Sequence, residues 1–298
     1  MTVLDNREFM IVADAGSTKV DWALICMEGG EQARVSTAGI NGVSSSDSYI
    51  LHILEEVKMK LAEKIKEFSP SSLTSIYFYG AGCATLPICE HIAVLLKKGL
   101  NDNAAADVES DLVGAARALF GKDSGIACIL GTGSNTCLYK DGEIAANIAP
   151  LGYVLGDEGS GTALGKTLIR EIFRNEAPRE TIEAFKEYFR MDLKDVLQRV
   201  YKETAPNVFL ASMVPFLKEH ESSPYVKDLV KREFKQFFSR TVKRYDCSRN
   251  YPLGFIGSIA ENFKSVLFEV AEEEGYRIDK ILHRPIEGII NYHVNHII

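Results

Sequence analysis

Two apolar runs in this chain are each broken at the centre by a glycine-rich turn. Residues 9–13 and 19–26 flank Asp14-Ala15-Gly16-Ser17-Thr18, and residues 126–130 and 136–139 flank Gly131-Thr132-Gly133-Ser134-Asn135. Both segments read as β-hairpins. Glycine lets the backbone take φ > 0 and come close to a ligand. The flanking Ser and Thr add hydroxyl donors. One such turn is ordinary hairpin punctuation, because turns use Gly, Ser, Asn and Asp freely. A matched pair predicts two loops that grip phosphate from either side of a cleft, since di- and triphosphates are held by convergent backbone N–H groups.

The elements between the turns support a duplication. In the first half, strands at 9–16, 19–27, 33–37, 73–79 and 103–110 alternate with helices at 47–68, 87–96 and 112–120. The 47–68 helix is expected from Ile50, Leu54, Val57, Leu61, Ile65 and Phe68 at helical spacing, with Ser69-Pro70 as its stop. The pattern restarts at Gly125 with strands at 125–131, 134–139 and 143–148. Residues 160–245 are helical in pattern, and Pro206, Pro215 and Pro224 mark helix starts or breaks. Strands at 253–256 and 276–282 and helices from 259 and over 285–294 complete the chain. The expectation is two α/β lobes, residues 1–120 and 121–298, with a helical insertion in the second and a last helix that can pack back on the first.

Length and composition agree. At 298 residues the chain exceeds what one core usually sustains. A net charge of −7 argues against a nucleic-acid binder, which needs a basic surface. It leaves an anionic substrate open, because a phosphate site is local. No apolar run approaches the ~20 residues of a membrane span, and the N-terminus lacks a signal-peptide core. Six cysteines without a CxxC pair read as free thiols of a cytoplasmic protein.

The chemistry of the turns is distinct. Asp14 repels phosphate but suits Mg²⁺, which then bridges the phosphates. Neither turn is a GxxxxGK[ST] loop or a GxGxxG opening a helix, so P-loop and dinucleotide readings fail. Asp111 follows a strand and opens a helix. By itself that position reads as a helix N-cap.

Residues 14–22 resemble the phosphate-1 motif of the actin, hexokinase and Hsp70 ATPase superfamily. Residues 131–135 resemble its phosphate-2 motif, and Gly254-Phe255-Ile256-Gly257-Ser258-Ile259-Ala260 resembles its adenosine motif. Within it, Ser110-Asp111-Leu112-Val113-Gly114-Ala115-Ala116-Arg117-Ala118 and Gly152-Tyr153-Val154-Leu155-Gly156-Asp157-Glu158-Gly159-Ser160-Gly161 are similar to segments of the N-acetylglucosamine kinase and BadF/BcrA-type ATPase group. The resemblance implies two ribonuclease-H-like α/β lobes around a central cleft. It also implies ATP-dependent phosphorylation of an amino sugar, N-acetylglucosamine foremost.

Carried over by position, Asp111 is the catalytic base and Asp14 the Mg²⁺ ligand. Gly16, Ser17, Thr18, Lys19, Gly131, Thr132, Gly133, Ser134, Gly257 and Ser258 bind ATP. Asn41, Gly42, Ala81, Gly82, Asp157 and Glu158 line the sugar site, Glu158 standing behind the sugar contacts. The expected partner is a small-molecule sugar, with neither nucleic acid nor membrane, in a homodimer. This agrees with the chemistry of phosphoryl transfer, which asks for positioning and charge neutralisation, and for a carboxylate able to take a late proton.

Other readings are weaker. The iron–sulfur activator ATPases of the same group need cysteines placed for a shared cluster, and Cys83, Cys89, Cys128 and Cys137 lack that spacing. A non-catalytic sugar or nucleotide sensor would not need both Asp14 and Asp111. His293 and His296 form an HxxH that reads as exposed tail histidines, Trp22 as strand core, and Glu272-Glu273-Glu274 as a solvated helix end.

Overall fold

The computed structural model describes residues 7–297. In chain order they form β1 (Phe9–Ala15), β2 (Lys19–Cys26), β3 (Gly30–Ala38), α1 (Asp47–Lys64), β4 (Leu73–Gly80), α2 (Leu86–Leu100), β5 (Ala105–Ser110) and α3 (Asp111–Phe120). There follow β6 (Gly125–Leu130), β7 (Ser134–Lys140), β8 (Glu143–Ile148), α4 (Gly152–Leu155), α5 (Gly161–Phe173), α6 (Arg179–Phe189), α7 (Leu193–Tyr201), α8 (Pro206–Ala211), α9 (Val214–Glu219) and α10 (Pro224–Arg240). The last elements are β9 (Leu253–Ile256), α11 (Ser258–Asn262), α12 (Lys264–Glu273), β10 (Ile278–Leu282) and α13 (Ile286–Ile297).

The chain divides into two compact units. One runs to Gly121 and takes up the chain again at Pro285; the other spans Lys122–Arg284. The second unit therefore stops short of α13, which packs in the first unit against α3, β1 and β2.

Each unit is built on a mixed five-stranded sheet, in the orders β3-β2-β1-β4-β5 and β10-β9-β6-β7-β8. In the first, β1 pairs antiparallel with β2 and parallel with β4; in the second, β6 pairs antiparallel with β7 and parallel with β9. The topology repeats strand for strand, although the sequences do not. A hairpin turn follows β1 and β6, a glycine-rich loop follows β4 and β9, and the glycine-rich motifs occupy matching places.

In the first unit α1 and α2 cover one face of the sheet. Ile50, Leu54, Val57 and Leu61 of α1 and Leu96 of α2 bury against Ile11, Trp22 and Phe78. Trp22 is fully buried, with its indole N–H donating to Thr37 Oγ1 at 2.9 Å. Helix α1 ends at Lys64, not 68. Ile65 turns extended (φ −125°), and the amide of Phe68 donates to the Ile65 carbonyl, folding Phe68 back into the core. Burial of that ring outweighs one more helical turn. The core of the second unit is aromatic: Phe234, Phe237 and Phe238 of α10 are fully buried with Phe255 of β9.

The acidic run at 272–274 is not merely solvated. Lys231 of α10 bridges Glu269 (2.7 Å) and Glu273 (2.5 Å), Lys235 pairs with Glu273 (2.9 Å), and Lys243 pairs with Glu274. Lys231, Lys235 and Lys243 are thus matched to carboxylates within the fold.

Candidate active site

Parallel pairing in the first unit brings three strand ends level. Ala15 of β1 pairs with Gly80 of β4, which pairs with Ser110 of β5. The residues that follow these ends, Gly16, Ala81 and Asp111, therefore emerge along one edge of the sheet. This carboxyl edge is where ligands bind in open α/β sheets.

The loops at residues 41–42 and 81–82 come together here. The Gly42 amide donates to the Ala81 carbonyl at 2.8 Å, and the Ala81 amide to the Ala15 carbonyl at 2.8 Å. Gly82 has φ +80°, and a Cβ there would lie 2.7 Å from Asn41 Oδ1. The Asn41 side chain is committed within the protein. Its Oδ1 accepts from the amides of Val43 (3.0 Å) and Ser44 (3.1 Å), and its Nδ2 donates to Ser17 Oγ at 3.0 Å. Asn41 thus ties its own loop to the first glycine-rich turn, a link invisible in the sequence.

In that turn the Gly16 amide donates to the Lys19 carbonyl at 2.9 Å, and Ser17, Thr18 and Lys19 are exposed. Lys19 is held at 2.7 Å from Asp21. Asp21, which sequence reasoning passed over, is directly opposite Asp14 in the hairpin and is 6% exposed. Facing carboxylates repel. The Lys19 ammonium and the Ser36 hydroxyl, which donates to Asp21 Oδ1 at 2.6 Å, offset that repulsion. The signal that could have found Asp21 is its place in the hairpin register. Asp14 is half-buried at the end of β1, and its oxygen donors with the exposed turn beside it suit a Mg²⁺–phosphate group.

Asp111 is the first residue of α3 and is not its cap. Ser110 caps the helix, its Oγ accepting from the Val113 amide at 3.3 Å. Removal from water pushes the Asp111 carboxyl up to about 6, although the amides of Leu112 and Asp111 pull the other way. Burial also pushes the neighbouring Cys83 thiol up to about 12, so it stays protonated.

In the second unit the Gly131–Gly133 turn rests on the start of α5. The Gly161 amide donates to the Gly131 carbonyl at 2.9 Å, and Thr162 donates to the Thr132 carbonyl through its amide (3.1 Å) and its Oγ1 (2.6 Å). Ser134 is buried, and its amide donates to Asp157 Oδ1 at 3.2 Å. The exposed side of the turn is therefore Thr132 and Gly133. Asp157 sits in the left-handed region (φ +60°), and desolvation raises its pKa. A Cβ on Gly133 would stand 3.0 Å from its carboxylate. Glu158 turns toward Arg240, 3.5 Å away.

Gly257, at φ +119°, lies so close to the same turn that a Cβ would meet the Leu130 carbonyl oxygen at 2.3 Å. The phosphate-2 and adenosine motifs are thus packed together, and Ser258 is exposed beside them.

The HxxH tail is corrected by the structure. His293 is 5% exposed, its Nε2 lies 2.7 Å from Tyr79 Oη, and its ring stacks on Tyr77 at 3.8 Å. The His296 side chain lies outside the described residues.

Among solved structures, the chain is similar to one described as a candidate N-acetylglucosamine kinase from Porphyromonas gingivalis. The two are 38% identical, with 97% of this chain and 100% of that chain covered and a TM-score of 0.88. A second candidate N-acetylglucosamine kinase, from Chromobacterium violaceum, matches at 16% identity over 96% of this chain and 99% of that chain, with a TM-score of 0.77. A candidate N-acetylmannosamine kinase from Listeria monocytogenes matches at 14% identity over 97% of this chain and 100% of that chain, with a TM-score of 0.50. The last two likenesses concern the fold alone. No family model and no curated protein matches the chain. No helix among the described residues is long and apolar enough to cross a membrane.

Proposed function

This chain belongs to the N-acetylglucosamine kinase and BadF/BcrA-type ATPase family of the actin, hexokinase and Hsp70 superfamily, and on that premise we propose how it works as a sugar kinase. The substrate is an amino sugar, N-acetylglucosamine foremost, and the phosphoryl donor is ATP. The product is the sugar 6-phosphate, formed by direct in-line transfer.

The observation that carries this reading is Asp111. It stands at the carboxyl edge of the first sheet, relieved of capping by Ser110, with a pKa raised to about 6. A carboxylate poised there is ionised near neutral pH yet more basic than a solvated one. That matches the late proton transfer from a sugar hydroxymethyl group. The sugar oxygen bonds to the γ-phosphorus as the bond to the β,γ-bridging oxygen breaks, Asp111 takes the hydroxyl proton, and ADP leaves.

The remaining residues orient the reactants. We assign the first turn, and in the second unit the Thr132 and Gly133 amides, to phosphate, and Gly257 with Ser258 to the adenosine. We assign Asn41, Gly42, Ala81 and Gly82 of the first unit, and Asp157 and Glu158 of the second, to recognition of the sugar. Asp14 would hold Mg²⁺, which supplies neutralisation of phosphate charge when bound. The enzyme acts as a homodimer, a state that light scattering measures directly.

The test is ADP release with N-acetylglucosamine, glucosamine, N-acetylmannosamine and glucose offered separately. Strong stimulation by an N-acetylated hexosamine, abolished in Asp111→Asn with ATP affinity retained, is the expected result. Sugar-independent ATP hydrolysis, or full turnover in Asp111→Asn, overturns the proposal.

A further inference from the structure

The helix that carries Asp111 is fastened at its other end by residues from three separate stretches of chain. Gly114 of α3 lies flat on Tyr79, and a Cβ there would meet the ring at 2.9 Å. One turn on, the Arg117 Nη1 donates to Tyr79 Oη at 2.8 Å. The guanidinium also stands over the Tyr79 ring (5.6 Å) and the Tyr292 ring (5.1 Å), with Glu109 3.5 Å from Nη2. Tyr79 Oη in turn meets His293 Nε2 at 2.7 Å. Helix α13 presses on α3 so closely that a Cβ on Gly288 would sit 2.6 Å from the Ala118 carbonyl oxygen.

A guanidinium only donates, so Tyr79 Oη accepts from Arg117, and the same oxygen shares a hydrogen bond with His293 Nε2 whose donor is set by the histidine tautomer. Tyr79 and His293 are buried, Arg117 is half-buried, and its Nε is left with no hydrogen-bond partner. A half-buried arginine with an unmet donor opposes folding. Its placement on α3, next to a tyrosine one residue before the Gly80–Ala81–Gly82 loop, gives the arrangement a purpose beyond packing.

We propose that Arg117, Tyr79 and His293 form a latch through which the C-terminal helix holds α3, and so Asp111, in register with the sugar loop. They are positioning residues, and the inference rests on the reading of Asp111 as the base. Tyr79 pairs in β-register with Asp14 on one side and Glu109 on the other, so the latch bears on the strand that ends at the site. A misplacement of about 1 Å far from the chemistry can slow it about a hundredfold.

Four variants test it: Tyr79→Phe, which removes only the hydroxyl, His293→Leu, His293→Gln, which retains an acceptor, and Asp111→Asn. Expected for Tyr79→Phe and His293→Leu is a fall in kcat of about tenfold or more. KM for ATP should stay unchanged, and amides 113–116 of α3 should lose hydrogen-exchange protection. His293→Gln should recover most of kcat. Wild-type kcat in both Tyr79→Phe and His293→Leu overturns the latch. So does a fall in kcat with the protection of α3 unchanged, or one that His293→Gln fails to rescue. Full turnover in Asp111→Asn instead removes the base assignment, and the latch is then judged on hydrogen exchange alone.

Discussion

Asp157 accepts the amide hydrogen of Ser134 at 3.2 Å, so the carboxylate read from the sequence as a sugar contact also builds the phosphate-2 turn. The left-handed backbone of Asp157 aims it there, and Gly133 keeps its path clear. The two roles separate by mutation. Asp157→Ala should raise KM for ATP about tenfold by freeing a buried amide, a loss on the order of 1–2 kcal/mol. Asp157→Asn keeps an acceptor for Ser134 and should hold KM for ATP near wild type while raising KM for the sugar. Equal effects of both variants on ATP would mean that the charge, not the hydrogen bond, shapes the turn.

Asp111 ties activity and stability to pH in opposite senses. As a base it works ionised, so kcat/KM for the sugar should rise with pH through about 6 and level off above it. The sign for stability follows from the raised pKa: the folded protein holds this proton more tightly than the unfolded chain. The carboxylate therefore destabilises the fold fully above pH 6, and the penalty fades as pH falls toward its ordinary value of 3.8. Asp111→Asn should stabilise the fold at pH 8 by an amount on the order of 1–3 kcal/mol, seen as a raised melting temperature, and by much less at pH 4. A variant that is inactive and also less stable at pH 8 would contradict this account.

Gly257 is required by both conformation and space. Gly257→Ala would force φ +119° on an L-residue and set a Cβ against the Leu130 carbonyl. Destabilisation of about 2 kcal/mol or more is expected, together with weaker ATP binding, because the turn at Gly131 must move. Gly121→Ala is the control. It has φ +62° and nothing within 4 Å of a new Cβ, so only the backbone strain applies. Chemical denaturation of the two variants tests the difference.

The ion pairs between α10 and α12 should respond to salt and acid. Hydrogen bonds from Lys227 and Lys231 hold the Glu269 carboxyl down to about 2. Its contribution is present above its ordinary value of 4.5 and is lost as pH falls through about 2. Glu269→Gln should lower the melting temperature slightly at pH 7 in low salt, and the difference should vanish in ~1 M NaCl, where the Debye length is about 3 Å. A difference that survives high salt would mean that packing, not charge, was lost.

What the residues announced by themselves was local. Glycine and hydroxyl groups in the two turns, helical spacing from Ile50 to Leu61, and the string from Gly152 to Gly161 specify elements whose chemistry depends on near neighbours in sequence. They sufficed to read the duplicated α/β fold, while Asp111 was nominated by the family resemblance of residues 110–118. Only the tertiary structure decided which groups those residues meet. Strand register set Asp21 against Asp14, the local backbone gave the cap of α3 to Ser110 rather than Asp111, and chain crossing laid Asn41 on Ser17. It also returned α13 to the first unit and buried His293, which sequence reasoning had left in a solvated tail. The cap pair is three positions apart and the others lie 7 to 214 apart, and hydrogen bonding and burial act on distance in space.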